Sequence, residues 1–408
     1  MQRYILVGCD VSDNHLVAMI AVDRDDPVKR GFANDEEGRK KMVRELRQRA
    51  KAAGRAKIVV SYEAGVHGFG LHDFFQDEGV QCYVLAPTKM ARSPKQRKNK
   101  TDPKDALAIL TVLRGHVLAG NPLPACWVPD PSLRDDREVV RACLAASRRR
   151  GQVETRIRMF LKRMDLRKPS GVGKGWTLKY AAWLRGLTSS PSPLGPGART
   201  TLASDLRQRA MFLEEHAILE RAVADLAETP RYQTAAMALQ SYGGVGVLTA
   251  MVFLTEMGDL ERFSNRRQVG AYLGLVCSSH ETGETDDRKG HITHQGSWRL
   301  RHVLCQAAWS RVRNDRREAA VFERIRGKNP KHKNLAIVAI MRRLGITFWH
   351  RGLEAQRGVE PPAASPVPQA VADAAASVGG GAARGARTAS THDATAINRH
   401  APVVSHSP

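Results

Sequence analysis

The chain begins with short apolar runs that are separated by polar turns. Tyr4 to Val11 and His15 to Val22 have the length of β-strands, and Lys29 to Ala33 can pair with them as a third strand. From Asn34 to about Ala53 the segment is charged, and its apolar residues recur at helical spacing. The same patterns then predict strands over 57–62 and 80–86 and helices over 68–78 and 102–113. The predicted order of elements is βββαβαβα.

This order decides between two α/β folds. Three consecutive strands followed by alternating strands and helices are typical of the ribonuclease H-like (RuvC-like) arrangement, whereas a Rossmann unit needs a helix directly after its first strand. Here a second strand follows the first at once. We therefore expect an α/β domain of RuvC-like fold over residues 1–118.

Residues 130–230 have a longer, charged and helical pattern, which the Pro/Gly/Ser-rich loop Ser189 to Gly197 interrupts. An apolar seam follows Leu206, Ala210, Leu213 and Ala217 and then shifts to Leu219, Val223 and Leu226. This seam is shorter than the three to four heptads of a firmly predicted coiled coil. The segment is therefore either a coiled-coil arm that forms oligomers or a linker of ordinary packed helices.

The remainder divides into a folded part and a tail. Residues 234–353 predict a second compact domain that is mostly helical. Residues 359–408 are rich in Ala, Gly, Pro and Ser and contain scarcely any large apolar side chain. Such a segment cannot bury enough surface to offset its ordering entropy, and we expect it to be disordered.

The charge of the chain points to a polyanionic partner. Its 64 Lys and Arg residues outnumber its 41 Asp and Glu residues, for a net charge of +23. Nucleic acid is the leading candidate partner. The six cysteines form no CxxC pair, so neither a zinc site nor a disulfide framework is indicated. Because no segment has the length and apolarity of a membrane span or a signal core, we expect a cytoplasmic protein without a membrane partner.

Four acidic residues occupy positions from which their carboxylates can converge. Asp10 and Glu63 lie at the carboxyl ends of two predicted strands, and Asp102 and Asp105 lie three residues apart on one helix face. Two like charges about 4 Å apart repel by roughly 4 kcal/mol at an effective dielectric constant of 20, so a cation is expected among them. Oxygen ligands favour Mg²⁺ or Mn²⁺, and two such ions can catalyse phosphoryl transfer. Four unrelated surface acids are the alternative.

Three further segments are candidates for contact with nucleic acid. A basic run without any acid precedes Asp102 and contains Lys89, Arg92, Lys95, Arg97, Lys98 and Lys100. Gly244 and Gly246 form a Gly-x-Gly turn between two predicted helices, as in a helix-hairpin-helix motif, although a plain helix connector has the same pattern. A polar loop from His280 to Gly296 precedes a helix that carries Arg299 and Arg301.

Taken in order, these motifs resemble a known family, the bacterial insertion-sequence-110 transposases, over about residues 4–353. The residues that carry the resemblance are Gly-Cys-Asp10-Val-Ser, Tyr-Glu63-Ala-Gly, Asn-Lys-Thr-Asp102-Pro-Lys-Asp105-Ala, the Gly-Gly-Val-Gly turn with Met-Gly-Asp-Leu-Glu-Arg-Phe, and Ala-Tyr-Leu-Gly-Leu. The resemblance implies a bacterial, nucleoid-associated DNA recombinase that excises and inserts its own mobile element. It also implies a dimer or tetramer, a noncoding bridge RNA, and metal binding by the four acids.

The resemblance further implies a hydroxyl nucleophile in the second domain. The family has a serine just before a glycine of the polar loop, and here that position is Thr282. The β-branch of threonine crowds its hydroxyl, so Ser278 and Ser279 are alternative nucleophiles. His294 stands where the family has a lysine.

Other functions share some of these features. A RuvC-like endonuclease would cut DNA without rejoining it, and a nucleic-acid-binding protein would use the basic residues without catalysis. A sugar-kinase or actin-type phosphotransferase also carries an aspartate on its first strand. That class needs glycines in the following turn, where this chain has Val-Ser-Asp-Asn-His15.

Overall fold

A computed structural model describes residues 2–90, 101–173, 175–279, 289–293, 295–327 and 329–358. The described chain forms two compact units, which divide after Asp130. The predicted tail, residues 359–408, lies outside the described residues.

The first unit contains a five-stranded mixed sheet. Its strands are β1 (Tyr4–Val11), β2 (His15–Val22), β3 (Val28–Ala33), β4 (Lys57–Glu63) and β5 (Gln81–Leu85), and its helices are α1 (Glu36–Ala52), α2 (Gly70–Asp77) and α3 (Asp102–Ala119). The strands lie in the order β3-β2-β1-β4-β5, with β1, β2 and β3 antiparallel and β1, β4 and β5 parallel. The predicted order βββαβαβα is confirmed.

Alternate side chains of the sheet enter two separate cores. Ile5, Val7 and Cys9 of β1 pack on one face with apolar residues of α1 and α2. Leu6 packs on the other face with Ala106, Leu110 and Leu113 of α3. Helices therefore cover both faces of β1, as its nearly continuous apolar sequence requires.

A glycine determines how closely α3 approaches the sheet. A Cβ atom on Gly8 would lie 2.3 Å from the carbonyl oxygen of Ala106 and 2.4 Å from the backbone nitrogen of Leu110. The backbones of strand and helix are thus in direct contact, which any larger residue would prevent.

The second unit is mostly helical. Its elements are α4 (Pro131–Arg163), α5 (Leu178–Gly186), α6 (Pro196–Ala227), α7 (Gln233–Gln240), α8 (Val247–Met257), α9 (Arg266–Tyr272), β6 (Cys277–Ser279), β7 (Lys289–Ile292), α10 (Trp298–Asn314), α11 (Arg316–Arg326) and α12 (Lys333–Gln356). The long helices α4 and α6 pack against each other. We call residues 131–227 the helical arm. Its base shares one apolar core with the domain that follows, through Val140, Leu144 and Val223.

The apolar seam predicted for α6 is wrong at Ala210 and Ala217, whereas Leu206 packs against a core as predicted. Ala210 and Ala217 are exposed, whereas Asp205 and His216 are buried. Asp205 can be buried because Arg156 of α4 approaches its carboxylate to 2.7 Å. A buried position can therefore hold a polar residue when that residue is paired across the helices, and a search for apolar residues alone does not find such a position.

Within the described residues, no helix is both long enough and apolar enough to cross a membrane.

The contact at Gly8 can be tested by a substitution that adds a methyl group. We expect Gly8→Ala to destabilise the first unit by about 1–3 kcal/mol or more, because the new Cβ meets backbone atoms that cannot rotate away. Gly31→Ala in β3 is the matched control, since nothing lies within 4 Å of its added Cβ. Urea denaturation of the full chain measures both. Equal midpoints for the two variants would contradict the close packing of α3 on β1.

Candidate functional site

Asp10 and Glu63 lie side by side on neighbouring strands. Cys9 of β1 is paired in parallel register with Tyr62 of β4, and Asp10 and Glu63 are the next residues of the two strands. Each of the two acids is partly buried. The sequence placed both at strand ends, and the register brings these ends together.

The two carboxylates leave the sheet on the side that α3 covers. Successive side chains of a strand point to opposite faces, so Asp10 shares the face of Leu6 and Gly8. Glu63 shares the face of Val59 in the same way, and both Leu6 and Val59 belong to the core beneath α3. On the opposite face, burial and then the charge of Asp10 raise the pKa of the Cys9 thiol to about 12.

The first turn of α3 brings the other two acids to this end of the sheet. Thr101 is the N-cap residue, Asp102 begins the helix, and Asp105 follows in the same turn. Asp102 lines a cleft with His15, Leu16 and Val17, and Val17 is the partner of Asp10, so the start of α3 lies at the end of β1 that carries Asp10. Carboxylates in a first helical turn are stabilised by the helix dipole, typically by about 0.3–1 kcal/mol.

The chemistry of this set of donors suits a hard divalent cation. All four predicted ligands are carboxylates, which Mg²⁺ and Mn²⁺ prefer over the nitrogen and sulfur ligands of zinc. Their side chains do not, however, form a group of three or more potential metal ligands among the described residues. The parallel register makes Asp10 and Glu63 neighbours at one sheet edge, and Asp102 begins α3 at the same end of the sheet.

Most of the predicted basic run cannot be placed. Lys89 is exposed and ends a short 3-10 helix, Pro87–Lys89. Arg92, Lys95, Arg97, Lys98 and Lys100 lie outside the described residues. Two cations that the sequence did not single out, Lys29 and Lys41, line a cleft together with Asp102.

The glycine turn of the second unit connects α7 to α8, as predicted. Gly244 has a φ of +86°, and a Cβ atom there would lie 2.5 Å from the hydroxyl oxygen of Ser310 in α10. Gly244 therefore permits a close approach of the turn to α10 of the same chain, and not to a ligand. Gly246, the N-cap of α8, has no atom within 4 Å of an added Cβ and leaves its backbone accessible to a ligand.

The polar loop has the ends of a β-hairpin. β6 and β7 are antiparallel, with Cys277 opposite Ile292. The hydroxyl of Ser278 donates a hydrogen bond to the carbonyl oxygen of His291 at 3.1 Å. Thr282 and His294 lie outside the described residues. The Ser278 hydroxyl thus has a structural partner across the hairpin.

Two glycines close the base of this hairpin. A Cβ atom on Gly274 would lie 2.1 Å from the carbonyl oxygen of Gln295, and one on Gly296 would lie 2.0 Å from that of Tyr272. Both glycines have positive φ, +66° and +102°. The chain segments that enter and leave the hairpin therefore touch through their backbones. A glycine on each side of the polar loop was the sequence signal for this closure.

Arg301 reinforces the closure. Its Nη1 donates to the carbonyl oxygens of Gly296 at 3.1 Å and Leu273 at 3.4 Å, and burial lowers the pKa of its guanidinium. The sequence predicted a nucleic-acid contact for Arg301. The structure gives it an internal role in addition to anything it binds.

Arg299 approaches a buried acid that sequence reasoning missed. Its Nη1 lies 3.9 Å from Oε1 of Glu256, and Arg141 of the arm donates to the same oxygen at 2.7 Å. Burial alone would raise the pKa of Glu256, but the hydrogen bond and charge of Arg141 outweigh burial and hold the pKa below its ordinary value. This carboxylate joins the base of the arm to the start of α10.

Two family models match consecutive parts of the chain. The model for DEDD transposases of the IS110 type, described as "Transposase", matches residues 7–165. The model described as "Transposase IS116/IS110/IS902 family" matches residues 236–323. The first match spans the four acids, and the second spans the glycine turn and the hairpin.

Individual relatives agree with these matches. The chain is 33% identical over 255 residues to y4qE of Sinorhizobium fredii, a candidate transposase, and this alignment covers 62% of the chain and 58% of the relative. It is 27% identical over 319 residues to the transposase for insertion sequence element IS1533 of Leptospira borgpetersenii, which covers 76% of the chain and 86% of the relative. Because the two models together match more than half of the chain, these similarities show that the chain belongs to the IS110 family of transposases.

Proposed function

We propose that this protein is a DNA recombinase that excises its own insertion sequence and inserts it at specific sites by metal-dependent phosphoryl transfer. The observation that carries the proposal is the parallel register that sets Asp10 beside Glu63 at the edge where α3 begins. Family membership supplies the reaction class, and the surplus of basic residues suits a DNA substrate.

In this proposal the four acids hold Mg²⁺ ions, two of them in the simplest arrangement, with Mn²⁺ as a substitute. Bound Mg²⁺ supplies the positive charge that stabilises an oxygen leaving phosphorus. Asp10 and Glu63 are held by the sheet, and Asp102 and Asp105 by the first turn of α3. Elements this rigid keep the carboxylates positioned before the substrate arrives.

The proposed nucleophile is the hydroxyl of Thr282. Its oxygen attacks a DNA phosphorus, a threonine–phosphate ester forms, and the bond from phosphorus to the departing DNA oxygen breaks. The hydroxyl loses its proton, and the departing oxygen takes one up. Ser278 and Ser279 are the alternatives, and the hydrogen bond of Ser278 to His291 favours Thr282 over Ser278.

Oligomerisation and RNA guidance complete the proposal through family resemblance. In a dimer or tetramer, the acids of one subunit would serve the hydroxyl of a neighbouring subunit. A structured noncoding RNA would pair with the donor and target DNA.

An endonuclease that does not rejoin DNA would use the same four acids. The match of residues 236–323 to a transposase model favours recombination, because it covers the hairpin that carries Thr282. A covalent link between protein and DNA is the observable difference, since hydrolysis leaves none.

The metal site is tested by removing one charge at a time. We expect Asp10→Asn and Glu63→Gln each to lower excision in a two-plasmid assay at least about 100-fold, because the charge stabilisation of a transition state is lost. Asp13→Asn is the matched control, since the Asp13 side chain lies near the same strand end but is 89% exposed. Chelation of divalent ions should abolish the activity of the unchanged protein. Full excision by both variants would refute the site.

The nucleophile is tested by trapping the ester. Thr282→Ala should lose both the covalent protein–DNA adduct on a denaturing gel and recombination, whereas Thr282→Ser should retain both because a hydroxyl remains. Ser278→Ala and Ser279→Ala are the parallel variants. If the adduct still forms in Thr282→Ala but is lost in Ser278→Ala or Ser279→Ala, that serine is the nucleophile. Strand cleavage without an adduct in any of the proteins identifies an endonuclease.

The closed base of the hairpin is expected to be necessary for activity. Gly296→Ala should lower excision at least about tenfold, because its Cβ would strike the backbone of Tyr272 and displace the hairpin. Gly151→Ala in α4 is the control, since nothing lies within 4 Å of its added Cβ and alanine favours a helix. Excision and the melting temperature are measured together. If both variants match the unchanged protein, the closure has no role in positioning the hairpin.

A further inference from the structure

The far end of the helical arm concentrates positive charge. We define the arm tip as residues 155–204, which comprise the end of α4, α5 with its flanking loops, and the start of α6. This segment contains ten Lys or Arg residues and a single acid, Asp165, for a net charge of +9 out of +23 in the whole chain. Residues 166–235 lie between the two family matches, so most of the tip belongs to neither.

The tip is folded on a core of its own. Val153, Ile157 and Phe160 of α4 pack with Tyr180 and Leu184 of α5. Thr177 caps α5 by accepting a hydrogen bond from the backbone N–H of Tyr180 at 3.1 Å. The basic side chains are therefore carried by a packed scaffold, which keeps their spacing defined.

Several of these cations face solvent without an acidic partner. Lys162, Arg167, Lys179 and Arg185 are exposed, and no salt bridge of the described residues involves any of them. By contrast, Arg156 pairs with Asp205 and Arg209 pairs with Glu154 where the two long helices pack. Cations where the two long helices pack are thus paired, and Lys162, Arg167, Lys179 and Arg185 remain available. Unpaired charges on a folded surface repel one another and are stabilised by a polyanion.

The aromatic side chains of the tip indicate which form of nucleic acid fits. The guanidinium of Arg209 lies 4.1 Å from the ring centre of Trp176, and the ammonium of Lys168 lies 4.3 Å from that of Tyr180. Trp183 is stacked on Tyr180 with ring centres 5.6 Å apart. Binding of single strands uses open aromatic faces on which bases stack. Because the protein's own side chains occupy these rings, the tip offers charge for phosphates rather than a platform for unpaired bases.

The arm also gives the tip a defined reach. Arg141 anchors α4 to Glu256 of α8, and α4 ends at Arg163. At 1.5 Å per residue, this part of the helix spans about 33 Å. One turn of duplex DNA has a similar length of roughly 34 Å.

We propose that the arm tip binds the phosphate backbone of double-stranded DNA without sequence preference, about one helical turn from where the base of the arm is anchored. The choice of DNA over duplex RNA rests on the proposed function. Binding of phosphates by the tip rests only on its exposed charges and its core.

The test compares salt dependence between two variants of the full chain. In the tip variant, Lys162→Gln, Arg167→Gln, Lys179→Gln and Arg185→Gln are combined. In the control, Arg24→Gln, Lys51→Gln, Lys57→Gln and Arg55→Gln remove the same charge from exposed positions of the first unit. The probe is a fluorescent DNA duplex of about 30 base pairs that lacks the ends of the element. The affinity is measured at several salt concentrations, because the slope of log affinity against log salt changes by about 0.9 for each phosphate contact.

We expect the tip variant to lower this slope by about 3 to 4 and the control to change it by less than about 1. Equal slopes for the tip variant and the unchanged protein would overturn the proposal. A greater loss on an RNA duplex or on single-stranded DNA than on the DNA duplex would overturn it as well. If the tip variant melts at a lower temperature, the pairs Lys162→Gln with Arg167→Gln and Lys179→Gln with Arg185→Gln are tested separately, each with an expected decrease of about 2.

This experiment is independent of catalysis. It is repeated with Asp10→Asn, in which tip-dependent binding of DNA should persist. If Asp10→Asn loses recombination but keeps this binding, the defect lies in the metal site and not in the tip. If the tip variant loses binding but still forms the covalent adduct on short DNA, the defect lies in the tip and not in the catalytic site.

Discussion

The N-terminal site depends on the contact between the backbone of α3 and the backbone of β1 at Gly8. No side chain separates the two elements there, so the axis of the helix lies close to the sheet. The start of α3 lies at the strand end that carries Asp10, because Asp102 lines a cleft with Val17, the partner of Asp10 on β2. The missing side chain of Gly8 thus sets how closely α3 approaches the strand that carries Asp10.

In the second unit, glycines and charged side chains hold the hairpin and the base of the arm in place. Two glycines and the half-buried Arg301 close the base of its polar hairpin. Glu256 links the same region to the arm, because its carboxylate accepts from Arg141 and lies near Arg299. A buried carboxylate with these partners is satisfied, while removal of one partner would leave a costly unpaired charge. The arm and the hairpin are therefore parts of one polar framework.

Charge is distributed unevenly over the molecule in a way that suits the proposed reaction. In the first unit, Asp10 and Glu63 are neighbours at one edge of the sheet. The arm tip carries a net charge of +9, and four of its exposed cations, Lys162, Arg167, Lys179 and Arg185, form no salt bridge within the described residues. A recombinase must hold DNA firmly while it breaks few bonds, and separate surfaces for holding and for chemistry meet both demands.

The sequence by itself determined the strands and the order of elements, because apolar periodicity is a local property. It indicated the segment between β6 and β7 only as a polar loop. The seam of α6 was misjudged at Ala210 and Ala217, since burial of Asp205 depends on Arg156, which is 49 residues away. Only the tertiary structure decided that Asp10 and Glu63 are neighbours, that Gly244 faces Ser310, and that Arg301 closes the hairpin. Each of these features depends on a contact between segments that are far apart in the sequence. The local pattern of a segment carries no information about which distant segment will pack against it.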